Sequence, residues 1–161
     1  MTLTADRLRE LFDYDQTTGI FVRRIGVRGG LAGEIAGYVH STLGYRYIGV
    51  DRKVRLAHRL AWLYTTGCWP GNTIDHINGD RSDNRISNLR DVPHRVNCEN
   101  RKAPKADTAS GILGVFRNRE RWVAKIRIQG KQTNLGTYAT REEASVAYLA
   151  AKRQFHKGNT L

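Results

Sequence analysis

One polar stretch, residues 75–101, constrains the fold of this chain more than any other part of it. An acid and a base stand side by side in it, Asp75 and His76, and two amides follow, Asn88 and Asn97. Between these residues lie turn formers such as Asn78, Gly79 and Asp80. We therefore predict a β-hairpin whose second strand is 89–92, followed by a short helix that contains Asn97.

This set of side chains suits phosphodiester hydrolysis assisted by one divalent ion. Asp75 offers a charged oxygen and Asn97 a neutral one, and Mg²⁺ needs few protein oxygens because it keeps waters and substrate phosphate. A neutral imidazole at His76 can take a proton from water, and Asn88 can bond backbone across the loop. The alternative is a polar turn in which the carboxylate and amides only satisfy loop amides.

The same residues resemble the HNH endonuclease motif, in the HNN variant found in phage homing endonucleases. The resemblance implies a β-hairpin and helix around a metal, called a ββα-metal unit, over about residues 73–101. It makes Asp75 and Asn97 the ligands of one divalent ion, Mg²⁺ or alternatively Mn²⁺. It also makes His76 the general base and Asn88 the residue that orients it. Three neighbours are possible supports for phosphate or the active site: His94, Arg95 and Arg101.

Charge is distributed unevenly along the 161 residues, which carry a net charge of +12. Residues 1–101 have 15 Lys/Arg against 11 Asp/Glu, a net +4, whereas residues 102–161 have 12 against 4, a net +8. A polyanion is therefore the expected partner, held mainly by the C-terminal part. There is no apolar run long enough to span a membrane. We expect a protein of the cytoplasm, in a bacterial or phage-infected host cell.

Residues 1–101 read as the nuclease domain, with helix and strand elements before the polar stretch. The apolar spacing predicts a helix over 4–13, a strand over 20–23, a hairpin from 45–50 and 54–56, and a helix over 57–64. His58, at the start of that last helix, has no metal-ligand spacing around it. We interpret it as a packed or capping histidine, the alternative being a ligand.

Residues 102–110 are polar, contain Pro104 and lack apolar periodicity, so we predict a linker there. From residue 111 onward, alternation over 121–129 predicts the central strand of a three-stranded antiparallel sheet. Thr140 and Glu143 form a capping-box pattern that opens a helix. Alanines and aromatics at helical spacing would cover the apolar side of the sheet.

Residues 111–161 resemble the AP2 DNA-binding domain. The resemblance is carried by Gly114-Val115, by the run from Trp122 to Arg127, by Leu135 to Tyr138, and by Glu142 to Ala144 with Ala147-Tyr148. It implies that the outer face of the sheet enters the major groove. The residues at contact positions, or suited to phosphate, are Arg117, Arg119, Arg121, Lys125, Arg127, Gln132 and Asn134.

Together these features predict an α+β protein that is a metal-dependent DNA endonuclease, of nicking or homing type. Double-stranded DNA is the expected partner, with no membrane and no small-molecule cofactor, and the sequence leaves open whether it acts as a monomer or a dimer. The main alternative is a DNA-binding transcriptional regulator without catalysis. An RNA-binding protein is a further alternative, because charge alone does not separate the two polyanions.

Overall fold

A computed structural model of the chain describes residues 2–26, 30–104 and 108–160. These divide into two compact units, Met1–Pro93 and His94–Leu161. The sequence placed the boundary later, at a linker over 102–110, of which residues 105–107 lie outside the described residues. The rest of that segment belongs to the second unit, and the domain limits 1–101 and 111–161 stay a prediction.

The first unit combines two helices with three small antiparallel sheets. In chain order its elements are α1 (Ala5–Leu11), β1 (Phe12–Asp15), β2 (Ile20–Arg23), β3 (Tyr38–Val39), β4 (Arg46–Val50), β5 (Lys53–Leu56), α2 (Ala57–Thr66), β6 (Thr73–His76) and β7 (Leu89–Val92). Strands β1 and β2 pair, β3, β4 and β5 form one sheet in that order, and β6 pairs with β7.

The first helix is shorter than its apolar spacing predicts. Thr4 caps it by accepting a hydrogen bond from the backbone N–H of Arg7, but the helix ends at Leu11 rather than at Asp13. Phe12 and Asp13 belong to β1 because they pair with Arg23 and Val22 of β2. Long-range strand pairing here outweighs local helical periodicity.

The core of the first unit forms where these elements pack. Leu8 of α1, Phe21 of β2, Ile48 of β4 and Leu60 of α2 are fully buried, and Ile74 and Leu89 join them from β6 and β7. Two tryptophans, at positions 62 and 69, pack against this cluster. The β6–β7 hairpin is therefore fixed to a hydrophobic core, which gives its polar side chains a defined position.

The second unit is a three-stranded antiparallel sheet covered by one long helix. It contains α3 (His94–Glu99), β8 (Val115–Asn118), β9 (Arg121–Ile128), β10 (Lys131–Tyr138) and α4 (Arg141–Phe155), with strand order β10-β9-β8. Thr140 and Glu143 form the predicted capping box at the start of α4. A mixed α and β architecture with small antiparallel sheets is thus confirmed. Among the described helices, none has the length and apolar character needed to cross a membrane.

Candidate active site

Strands β6 and β7 place the acid and the base of the polar stretch in adjacent positions of one ladder. Asp75 lies opposite Arg90, and His76 lies opposite Leu89. Both Asp75 and His76 are buried, at 5% and 4% exposure. Burying a carboxylate and an imidazole costs free energy unless they find partners, so the surroundings of each residue determine what it can do.

Asp75 forms an ion pair with its cross-strand neighbour, Arg90. Arg90 donates from Nε and from Nη2 to Asp75 Oδ2, at 2.9 and 2.7 Å. A carboxylate can accept about four hydrogen bonds, so two bonds to one oxygen do not exhaust its capacity. Arg90 thereby fixes one carboxylate oxygen of Asp75, and the other oxygen is the one that could bind a cation.

His76 sits among aromatic rings and one amide. The ring of His58 meets it edge-on, with 5.0 Å between centroids and 89° between planes, and the ring of Tyr45 lies 6.0 Å away. Asn84 Oδ1 lies 3.4 Å from His76 Nε2. Burial lowers the pKa of His76, although the Asn84 hydrogen bond and the Asp75 charge act in the opposite direction. The imidazole is therefore neutral at physiological pH.

His58 is buried at 6% exposure, as expected of a packed histidine. Burial, and next the neighbouring His76, lower the pKa of His58 to about 3. Within the described part of the chain, its Nδ1 has no hydrogen-bond partner. His58 is thus an uncharged side chain that packs against the ring of His76. The geometry gives no support to a role as a metal ligand.

Asn88 ties together the loop between β6 and β7. Its Oδ1 accepts from the backbone N–H of Asn78 at 2.9 Å, and its Nδ2 donates to the carbonyl of Asp83 at 2.9 Å. The backbone N–H of Ile77 also donates to the carbonyl of Asn88. These bonds are those expected of an amide that fixes the hairpin, and its contribution to catalysis stays a prediction.

The other proposed site residues of the polar stretch belong to the second unit. Asn97 is half-buried on α3, while His94 and Arg95 at its start are exposed. His94 Nε2 lies 3.4 Å from Cys98 Sγ, one turn further along the helix. Arg101 is exposed, and its carbonyl accepts a hydrogen bond from the buried Lys152. Asp75 lies in the first unit and Asn97 in the second.

The donor chemistry nevertheless fits a hard cation. Among the residues that the structure describes, no three His, Cys, Asp or Glu side chains come together as a metal site. A carboxylate oxygen and an amide oxygen are few ligands, and Mg²⁺ typically uses one or two carboxylates and keeps several waters. That Asp75 and Asn97 bind one ion remains a prediction.

The outer face of the second-unit sheet collects five of the seven predicted DNA-contact residues. Residues paired across an antiparallel ladder share a face, and Arg127 pairs with Gln132 while Lys125 pairs with Asn134. Arg121 lies on the same face by alternation along β9. These five residues are called the cationic face below: Arg121, Lys125, Arg127, Gln132 and Asn134.

Two predicted contact residues lie elsewhere. Arg117 pairs with Trp122, which packs on the helix-covered side of the sheet, so Arg117 does not belong to the cationic face. Its Nε donates to the carbonyl of Arg119. Arg119 occupies the turn between β8 and β9 with a positive φ of 54°. The sequence pattern missed this distinction because charge counts do not reveal which side of an edge strand a residue occupies.

Residues 55–98 match a family described as HNH endonuclease. This match includes the β6–β7 hairpin, which carries the buried Asp75–His76 pair. The chain also matches a curated protein, Protein 3.8 of Escherichia phage T7, at 32% identity over 102 residues. The match covers 62% of this chain and 83% of the phage protein. This chain belongs to the HNH endonuclease family, and Protein 3.8 is a relative. No solved structure matches the chain significantly.

Proposed function

We propose that this protein is a divalent-metal-dependent DNA endonuclease that hydrolyses phosphodiester bonds, with duplex DNA held by the cationic face. The observation that carries the proposal is the buried pair on β6, in which a base, His76, stands next to an acid, Asp75. The family assignment over residues 55–98 supports the same reaction class.

In this mechanism His76 takes a proton from the attacking water, a task for which a neutral imidazole is suited. Arg90 holds the side chain of Asp75 in place across the strand pair. Asn88 closes the loop and so limits the movement of the hairpin that carries His76. Asp75 and Asn97 would hold the metal. When bound, a divalent ion stabilises the negative charge that develops on the phosphate and the leaving oxygen.

DNA binding is assigned to the second unit on charge and exposure. Arg121 and Arg127 are exposed on the cationic face and Lys125 is half-buried there, beside the exposed amides of Gln132 and Asn134. The sheet with one packed helix has the element order expected of an AP2-like domain, and that likeness is part of the proposal. On α3 and just beyond it, Arg95 and Arg101 are exposed and available for phosphate.

The setting proposed is a phage-infected host cell, supported by the relative from a phage. A nicking enzyme and a homing enzyme use the same chemistry, and one catalytic set per chain favours nicking of one strand by a monomer. Double-strand cleavage then needs two chains or two successive events.

Cleavage of supercoiled plasmid tests the proposed function. With Mg²⁺ or Mn²⁺ the protein should produce nicked circles, and with EDTA it should not. His76→Ala should slow nicking by roughly 10²–10⁴-fold, the usual contribution of a general base, while DNA affinity stays within twofold. His40→Ala is the matched control, since His40 lies outside the site. Tight DNA binding without metal-dependent nicking would instead establish the non-catalytic regulator.

A further inference from the structure

A cavity of about 270 Å³ lies beside the cationic face, within the second unit. It is called the β9 cavity below, because β9 runs past the start of β8 there. The ladder between the two strands ends at Val115 opposite Ala124, whereas β9 continues to Ile128. Its volume is just below the ~300–1,000 Å³ that is typical of small-molecule sites. The β9 cavity therefore suits one ring system with its substituents rather than a large cofactor.

Apolar and aromatic side chains line part of the β9 cavity. Tyr148, on α4, packs directly on the backbone of Gly114, since a Cβ at that glycine would overlap the ring. Ile126, which is buried, lines the cavity as well. Phe116 also lines it but is 45% exposed. The two aromatic rings give a flat group surfaces against which it can stack.

Three cations line the same cavity: Arg101, Lys125 and Arg127. Between described residues, no ion pair neutralises these cations, and none of the described lining residues is acidic. Lys125 Nζ lies 5.9 Å from the centre of the Phe116 ring. Burial raises the pKa of Tyr148, and the charge of Arg101 acts against that rise, so this guanidinium influences the ring. The cavity therefore offers positive charge beside apolar surface, which suits an anion that carries a ring.

A nucleotide combines a flat base with an anionic phosphate, so it matches this surface. A paired base is covered by its neighbours in the stack, whereas an unpaired base leaves the stack at small cost. Every base has a π-face, so stacking on aromatic side chains tolerates any sequence. Lys125, Arg127 and Gln132 belong both to the β9 cavity and to the cationic face. An unpaired nucleotide next to a duplex can therefore reach the cavity while the duplex stays on that face.

We propose that the β9 cavity binds one unpaired nucleotide that adjoins a DNA duplex, with the base against Phe116 and Tyr148 and the phosphate near Arg101 and Arg127. The substrate class that this favours is duplex DNA with a flap, a gap or a bulge, in preference to a fully paired duplex. The inference rests on the proposed function, because the cationic face must hold the duplex. Binding of the unpaired nucleotide is measured without cleavage.

Fluorescence anisotropy with the full chain in EDTA tests the proposal on three forms of one nicked duplex. The first has no flap, the second has a one-nucleotide thymidine flap at the nick, and the third has the same flap without its base. The base-bearing flap should bind at least about fivefold more tightly than the abasic flap, the lower end of what stacking one base on an aromatic side chain contributes. The two flaps carry the same phosphates, so the comparison isolates the base.

Variants of Phe116 locate this preference in the cavity. Phe116→Ala should remove most of it, whereas Phe116→Trp, which keeps an aromatic ring, should preserve it. Phe155→Ala is the matched control, because Phe155 is similarly exposed, at 43%, and lies outside the residues that line the cavity.

A variant of Arg101 tests the phosphate contact separately. Arg101→Gln should weaken binding of both flapped duplexes a few-fold relative to the duplex without a flap, and the difference between the base-bearing and abasic flaps should persist. Arg153→Gln, at an exposed position of α4, is its control.

Equal affinity of the wild-type protein for the base-bearing and abasic flaps would overturn the proposal, whether or not the variants fold. So would a folded Phe116→Ala protein that keeps the full preference. In both cases the duplex is still bound, so the proposed function stands. A wild-type protein that binds none of the three duplexes would overturn the inference together with the proposed function.

Discussion

The two units of this protein both bury polar side chains, but they use them differently. In the first unit the buried polar residues cluster on and around the β6–β7 hairpin: His58, Asp75, His76, Asn84 and Asn88. Among the described residues of the second unit, the buried polar ones are Asn100, Ser110 and Lys152, and its proposed binding residues are exposed or half-buried on the cationic face. The first unit thus buries the acid and the base proposed to react, together with amides that hold their loop, whereas the second unit buries groups that secure the segment after α3.

Hydrogen bonds of the second unit support this distinction. Lys152, on α4, donates to the carbonyl of Arg101, and Ser110 Oγ donates to the carbonyl of Val115 at 2.6 Å. The hydroxyl of Thr160 donates to Asn100 Oδ1 at 2.6 Å. The segment that follows α3 is therefore secured by α4 and by the last residues of the chain. Burial in this unit serves to fix main chain.

The largest expected effect is the loss of stability of the first unit in acid, because that unit contains the buried His58. His58 takes up a proton near pH 6.5 when unfolded but only near pH 3 when folded, because its burial lowers the pKa to about 3. The folded state therefore binds fewer protons between these values. This difference has no effect on stability above about pH 6.5, and it destabilises the folded state progressively as the pH falls toward 3, by roughly 3–5 kcal/mol at most.

Denaturant unfolding at pH 7, 6, 5 and 4 measures this loss. Fluorescence in a Trp122→Phe background reports the first unit through Trp62 and Trp69, which pack against its core. His58→Leu should flatten the acid dependence, whereas His94→Gln, at an exposed position, should leave it unchanged. An equally steep loss in His58→Leu would contradict the assignment to His58 and would place the acid sensitivity in other groups.

Replacing the buried Lys152 should have a smaller and more local effect on stability than acid. Lys152→Met keeps the length of the side chain but leaves the carbonyl of Arg101 without this donor. We expect the second unit to lose about 1–3 kcal/mol, the usual cost of leaving a buried acceptor unpaired. Amide exchange should accelerate in α3 more than in the central strand β9. Mass spectrometry of deuterium uptake measures both segments.

Lys131→Met is the matched control for that experiment, because it removes an exposed charge from the same unit. Uniform acceleration across α3 and β9 would mean that Lys152 stabilises the unit as a whole, and the proposed local hold on α3 would then be wrong.

The parts of this architecture that the sequence predicts are those governed by local rules. The capping box of Thr140 and Glu143, the start of α2 at Ala57 and the second strand of the hairpin, Leu89–Val92, all follow from residue type and spacing. The Asp75–His76 pair can be recognised in the sequence because its residue types and spacing resemble the HNH motif. The family match over residues 55–98 confirms that resemblance.

What the sequence does not reveal depends on contacts between distant residues. Asn84 looks like any turn residue until its side chain is seen against His76, and Tyr14 lies 70 positions from the carbonyl it binds. His58 has no local signal except its place at a helix start. Arg90 is recoverable in principle, since the hairpin register sets it opposite Asp75. The AP2-like assignment and the metal-ligand roles remain predictions.

The smallest effects are expected on the cationic face, where contributions are spread over several charges. Lys125→Ala and Arg127→Ala should each weaken DNA binding a few-fold and lower the slope of log affinity against log salt by about 1. Equilibrium binding to one duplex at several salt concentrations measures that slope. Arg117→Ala removes the same charge from the helix-covered side of the sheet, so its slope should stay at the parental value. If Arg117→Ala lowers the slope as much as Arg127→Ala, DNA binding by the second unit follows overall charge rather than one face. In that case the second unit would have no distinct DNA-binding face, and the contrast with the buried reacting region of the first unit would fail.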